Sequence, residues 1–126
     1  MMEYENLTET IISCAYKVYN TMGYGFLESV YENCLLIELK KSGLQALSQK
    51  EINVYYNAII VGNFKADIIV EDTVILELKS VKTLAKAHEV QLFNYLTATH
   101  KPVGLLINFS PHTVEIKRKH LSSPLH

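Results

Sequence analysis

Asp67, Glu77 and Lys79 are three ionisable residues within one short stretch of the chain. The runs around them, Phe64 to Val70 and Thr73 to Lys79, are rich in apolar and β-branched residues and are separated by Glu71-Asp72. That pattern predicts a hairpin turning near Asp72, which sets Asp67 and Glu77 roughly opposite one another. Alternation puts Asp67 and Ile69 on one face of the first strand, and Ile75, Glu77 and Lys79 on one face of the second. Two facing carboxylates repel, so the pair demands a cation between them or a raised pKa in one of them. Mg2+, or Mn2+ in its place, suits such a site, because it takes a few carboxylates plus waters and substrate oxygens; the Leu78 carbonyl can supply one more oxygen. Lys79 would then set an ammonium where it orients or helps deprotonate an attacking water and steadies charge on a phosphate. This chemistry is metal-assisted phosphodiester hydrolysis. The same trio also fits a Glu77–Lys79 ion pair across a strand end with Asp67 solvated at the edge, and spacing alone does not separate the two.

The elements that must carry these residues can be read from periodicity. Leu7, Ile11, Cys14, Ala15, Val18 and Met22 recur at helical spacing, giving a first helix over about residues 7–22 with a capping signal at Asn6 and Glu9. Gly23-Tyr24-Gly25 breaks it, and Leu27, Val30, Tyr31, Cys34 and Leu35 begin a second helix that Ser42-Gly43 stops. From Glu51 the chain turns to short β runs, Ile52–Tyr56, Ala58–Val61, 64–70 and 73–79, with Asn57 and Gly62-Asn63 as turn residues, an antiparallel meander. Lys86 to Thr99 returns to helix, Val103 to Phe109 reads as a strand buried on both faces, and Thr113 to Lys117 as a short last strand. Residues 121–126 are expected to fray. The order is ααβββαββ, an α/β domain with a mixed sheet flanked by helices on both faces.

With 126 residues, 48% hydrophobic and 20% charged, the chain suits one domain, residues 1–126, with a single core. A net charge of −1 gives no global basic field, so any nucleic-acid contact must come from a local patch. No apolar run is long enough for a membrane helix and the acidic opening is unlike a signal peptide, so a cytoplasmic protein with no membrane partner is expected. Cys14 and Cys34 sit among apolar helix residues and read as reduced core positions.

Gly25-Phe26-Leu27-Glu28-Ser29-Val30-Tyr31 carries the pattern Gly-x-x-Glu-x-x-Tyr. With 64–67, 75–80, 88–96 and 104–109, it makes roughly residues 6–119 resemble the small prokaryotic GxxExxY proteins, and through them the PD-(D/E)xK nuclease superfamily. The resemblance implies a restriction-endonuclease-like core and a Mg2+-dependent or Mn2+-dependent nuclease. It also implies Asp67 and Glu77 as metal ligands, Lys79 as catalytic lysine, Glu28 as an additional acid from the second helix and Gln91 as a supporting glutamine. Ala66 stands where the superfamily's name has proline.

Plainer roles exist for the supporting residues. Glu28 near a helix start is favourable to the dipole without any chemistry. Gly23 and Gly25 serve a turn, and His88 reads as a helix-surface residue. Tyr31 and Tyr95 are either core aromatics or substrate contacts, and Lys117-Arg118-Lys119-His120 is either an exposed basic end or a phosphate patch. Lys65, Lys82 and Lys86 neighbour the catalytic strands and are candidate DNA contacts. DNA is the expected partner, RNA less so. A domain this small has limited surface for gripping a duplex, which points to a homodimer. The alternative is a catalytically inactive binding module or accessory subunit of the same fold, contacting nucleic acid or protein. Retention of two facing carboxylates argues against it, since they cost stability unless neutralised.

Overall fold

The computed structural model describes residues 3–121. Its elements are α1 (Glu3–Met22), α2 (Glu28–Lys41), β1 (Ala46–Tyr56), β2 (Ile59–Val70), β3 (Val74–Lys79), α3 (Lys86–Thr99), β4 (Val103–Phe109) and β5 (Val114–His120). This is the ααβββαββ order the sequence implies. The five strands lie side by side in chain order, and every neighbouring pair is antiparallel except β3 and β4, which run parallel. A parallel pair needs a crossover, and α3 provides it.

Alternation along the central strands splits the core into two layers. Val74, Leu76 and Leu78 of β3 join Val103, Leu105, Ile107 and Phe109 of β4 against Ile11, Cys14 and Val18 of α1 and Tyr31, Leu35 and Leu39 of α2. Ile75 and Leu106 point the other way, onto Leu92 and Leu96 of α3. Every residue of β4 is buried, as a strand covered on both faces requires. Gly104 lies where α3 comes closest: a Cβ there would stand 2.8 Å from Leu92 Cδ1.

The meander is simpler than the composition suggests. Ile59–Val61 and 64–70 are parts of one long β2, with Ala58 in the turn before it, and Gly62-Asn63 is strand rather than turn: Val54 pairs with Gly62 and Asn53 with Asn63. Asn63 Nδ2 donates to Asn53 Oδ1 across the ladder at 2.8 Å. A register shift at Val54/Tyr55 absorbs the irregularity that mimics a turn. The real turns are Asn57-Ala58 (φ 50° and 64°) and Glu71-Asp72 (φ 52° and 53°), each with both central residues at positive φ, as tight hairpins prefer. α1 starts earlier than its apolar stripe, and β1 begins at Ala46, ahead of the β-branched run. Leu121 is tied down, its N–H donating to the Pro102 carbonyl at 2.9 Å; the rest of the expected frayed end, 122–126, lies outside the described residues. Cys14 is buried, Cys34 half-buried, and both are free thiols. Among the described residues no helix is long and apolar enough to cross a membrane.

Candidate active site at the β2–β3 opening

The β2–β3 ladder runs from Val70 opposite Val74 to Ile68 opposite Leu76 and goes no further. The next opposing positions are Asp67 and Glu77. Instead of ladder bonds, each side chain caps the other strand: Asp67 N–H donates to Glu77 Oε2 at 3.1 Å, and Leu78 N–H donates to Asp67 Oδ2 at 2.8 Å. The reciprocal bonds fix both carboxylates in the gap between the strands and leave each with a second oxygen to offer. In a strand, the N–H and C=O of one residue leave on the same side, so the Leu78 carbonyl is directed toward β2 as its N–H is.

The electrostatics follow from confinement. Glu77 is only 8% exposed. Burial drives its carboxyl up to about 8, the Asp67 charge adding to the effect while Asp67 N–H and Lys79 oppose it. Burial also raises Asp67, against the Leu78 N–H, Lys79 and Gln49. Lys79 is therefore within electrostatic reach of both carboxylates, although it forms a close ion pair with neither among the described residues. Asp67 is half-buried rather than solvated at an edge. A Glu77–Lys79 surface ion pair is thus not what the fold builds.

The backbone beyond Lys79 is clamped by two residues that sequence reading missed. Lys79 sits opposite Asn108 on β4. Asn108 is fully buried; its Oδ1 accepts from Val81 N–H and its Nδ2 donates to the Val81 carbonyl, both at 2.9 Å. Ser80 Oγ donates to the Phe26 carbonyl at 3.1 Å. A lone amide inside the apolar run Leu105-Leu106-Ile107-Asn108-Phe109 was the available signal, since a buried polar group must be satisfied.

Two helices reach the opening from either side. From α3, Tyr95 stacks on Phe64 (centroids 3.6 Å, planes 13° apart), and burial together with the Glu77 and Asp67 charges pushes its hydroxyl pKa up. From α2 the acid that senses the pair is Glu32, missed by sequence reading: burial raises its pKa, Gln49 opposes, and the Asp67 charge adds. Glu32 in turn raises Glu77. Glu28 is exposed one turn earlier on the same face of α2, lining a cleft of ≈ 390 Å³ with Tyr24, Gly25, Phe26, Leu27 and Ser80. Spacing of four residues made Glu32 readable as a companion of Glu28.

Tyr31 is a correction. It is fully buried, stacks on Phe109 at 4.2 Å, and its hydroxyl donates to the Gly23 carbonyl and accepts from Phe26 N–H. It fastens the loop in which Gly23 and Gly25 take φ of 74° and 115°, so it cannot touch substrate. Gln91 is exposed, one helical turn before Tyr95, with no bond to the carboxylates. Lys65 and Lys82 are exposed; Lys65 lies opposite Glu51 on β1. Lys86 lines a groove with Glu89, Val90, Phe93 and Lys119, a cluster in which none of the site carboxylates takes part. Lys119 is held by Glu89 at 2.7 Å and Arg118 by Thr8 at 2.9 Å, while His88 Nδ1 accepts from Ala85 N–H at 3.1 Å at the start of α3.

Among the described residues no three His, Cys, Asp or Glu side chains converge as a ligand set. A cation in the opening would rest on Asp67 and Glu77, the Leu78 carbonyl, and oxygens from water or substrate. That donor set fits Mg2+, which keeps several waters and takes one or two carboxylates.

A family model described as the PD-(D/E)XK nuclease superfamily matches residues 5–119. The crystal structure of SSO0001 is similar in fold, with a TM-score of 0.56 at 18% identity over 78% of this chain and 50% of that one. The chain thus spans about half of that protein. No curated protein matches the chain in sequence.

Proposed function

Because the chain belongs to the PD-(D/E)XK nuclease superfamily, we propose that it is a divalent-metal-dependent nuclease hydrolysing phosphodiester bonds in DNA. Within the superfamily we place it among the GxxExxY proteins, on the loop-and-helix signature that Tyr31 holds together. The observation that carries the reading is the β2–β3 opening: two confined carboxylates, one driven up to about 8, with a lysine in reach. Such an arrangement is unfavourable for the fold alone and becomes favourable once a cation neutralises it.

When bound, Mg2+ or Mn2+ supplies Lewis-acid polarisation of the phosphate and of the attacking water. Asp67 and Glu77 would hold the ion through their carboxylate oxygens, which the Leu78 and Asp67 N–H groups keep in place. Lys79 orients the water and offsets the negative charge that grows on the phosphate. Tyr95, packed on Phe64, closes the α3 side of the opening, and Glu32 and Glu28 line the α2 side. Lys65, Lys82 and Lys86 contact the DNA backbone. The enzyme acts in the cytoplasm, where its free thiols stay reduced, and works as a homodimer so that two small domains share one duplex.

The test is cleavage of plasmid, linear, single-stranded and branched DNA in Mg2+ or Mn2+. Wild type should cut at least one form. Lys79→Ala should lower the rate by about 100-fold or more, the scale of losing one charge-stabilising group, while metal-dependent DNA binding persists because the ligands remain. A wild-type protein that cuts none of the four moves the reading to an inactive binding module or accessory subunit, which the net charge of −1 favours.

A further inference from the structure

β1 departs from regular strand geometry at a polar residue facing the site. Gln49 takes φ of 54°, a left-handed conformation that a non-glycine residue keeps only where its surroundings impose it. In the β1–β2 ladder Ser48 pairs with Ile68 and Lys50 with Ala66, and the position between them, Gln49 against Asp67, makes no ladder pair. The turned backbone delivers the amide to α2, where Nε2 donates to both Glu32 oxygens at 3.0 and 3.2 Å. One side chain on an edge strand thus joins the helix acid to the level of the opening.

A surface Gln–Glu bond needs no left-handed backbone, and Gly or Asn would take this φ with less strain. We propose that Gln49 is a positioning residue of the metal site: its amide fixes the Glu32 carboxylate on the α2 side of the opening that Asp67 and Glu77 line. This rests on the metal-dependent reading above. Groups that orient the surroundings of a metal without ligating it commonly change its affinity by about 10–100-fold.

The experiment measures Mn2+ binding to the full chain by calorimetry, together with melting temperature in EDTA. Gln49→Gly removes the amide while accepting the backbone angle. It should melt at or above the wild type without metal, yet bind Mn2+ about tenfold more weakly. Glu32→Gln should weaken binding to a similar degree, and the double variant no further than the weaker single, because both act through one contact. In cleavage assays at fixed Mn2+, kcat should fall with KM for DNA unchanged. If Asp67→Asn weakens Mn2+ binding and Gln49→Gly does not, the proposal is overturned and the metal site stands. If Asp67→Asn binds as wild type does, the metal reading falls and this proposal with it. Gln49→Gly melting well below the wild type, or failing to fold, marks a structural role and also overturns it, as does wild-type affinity in Glu32→Gln.

Discussion

At the scale of single residues, Glu77 is the group whose state the fold controls most. In the unfolded chain its carboxyl ionises near its ordinary 4.5, whereas in the fold it holds its proton up to about 8. Between these values the unfolded state binds fewer protons, so stability falls as pH rises through that window and stays reduced above it. A shift of this size corresponds to a few kcal/mol at most. Urea midpoints in EDTA should therefore decline from pH 5 to pH 8.5 in the wild type and stay nearly level in Glu77→Gln. Mg2+ should raise the wild-type midpoint more at pH 8 than at pH 5, because only the ionised pair profits from the cation. An equal Mg2+ effect at both pH values would count against a cation between Asp67 and Glu77.

At the scale of elements, the site depends on how strands part and on how closely α3 lies on β4. Gly104 permits that approach, since a methyl group there would press on Leu92 at 2.8 Å and crowd the Ile75 carbonyl at 3.3 Å. Gly104→Ala should cost about 1–3 kcal/mol, the usual penalty of overfilling a packed core, measured as a drop in urea midpoint. Trimming Leu92 in the same molecule should recover part of it. Because Tyr95 rides on the same helix, Gly104→Ala should also slow cleavage beyond what instability explains when assayed well below its melting temperature. Asn108→Ala releases Val81 from two bonds and leaves both of its backbone groups to find new partners. Its expected effect is a lower kcat through a displaced Lys79, with Mn2+ affinity near wild type, since Asp67 and Glu77 are held by other bonds.

At the scale of the whole molecule, the net charge of −1 leaves DNA affinity to local lysines. Replacing Lys65, Lys82 and Lys86 together by Ala should weaken binding and flatten its dependence on salt, because each phosphate contact releases counterions. Fluorescence anisotropy at several salt concentrations reads this directly; an unchanged slope would place the DNA elsewhere. The proposed dimer has its own test in sedimentation velocity. Exposed Tyr55, Tyr56, Ile59, Ile60 and Val61 crowd the tip of the β1–β2 hairpin, an apolar concentration unusual for a free surface. If that tip joins two copies, Ile59→Lys with Val61→Lys should shift a dimer to monomer while leaving the melting temperature of the monomer nearly unchanged. A wild type that sediments as a monomer at every concentration ends the dimer proposal.

Periodicity by itself determined the order of elements, the span of α3 and β4, and the turn at Glu71-Asp72, because burial on one or two faces leaves a repeat that can be counted along the chain. The facing of Asp67 and Glu77 was equally legible, since a short turn centred on Asp72 dictates register: Val70 pairs with Val74 and Ile68 with Leu76, so Asp67 comes opposite Glu77. The β1 boundary and the continuity of β2 were not: strand pairing, rather than side-chain type, holds Ala46 to Glu51 and carries β2 through Gly62-Asn63. The opening of the ladder at Asp67 was also out of reach, because the bonds that replace it run between residues ten and eleven positions apart. Only packing could show that Tyr31 is spent on its own loop. And only the packing of α2 on the sheet decides that Glu32, one turn beyond Glu28 on the same face, is the acid the carboxylate pair feels.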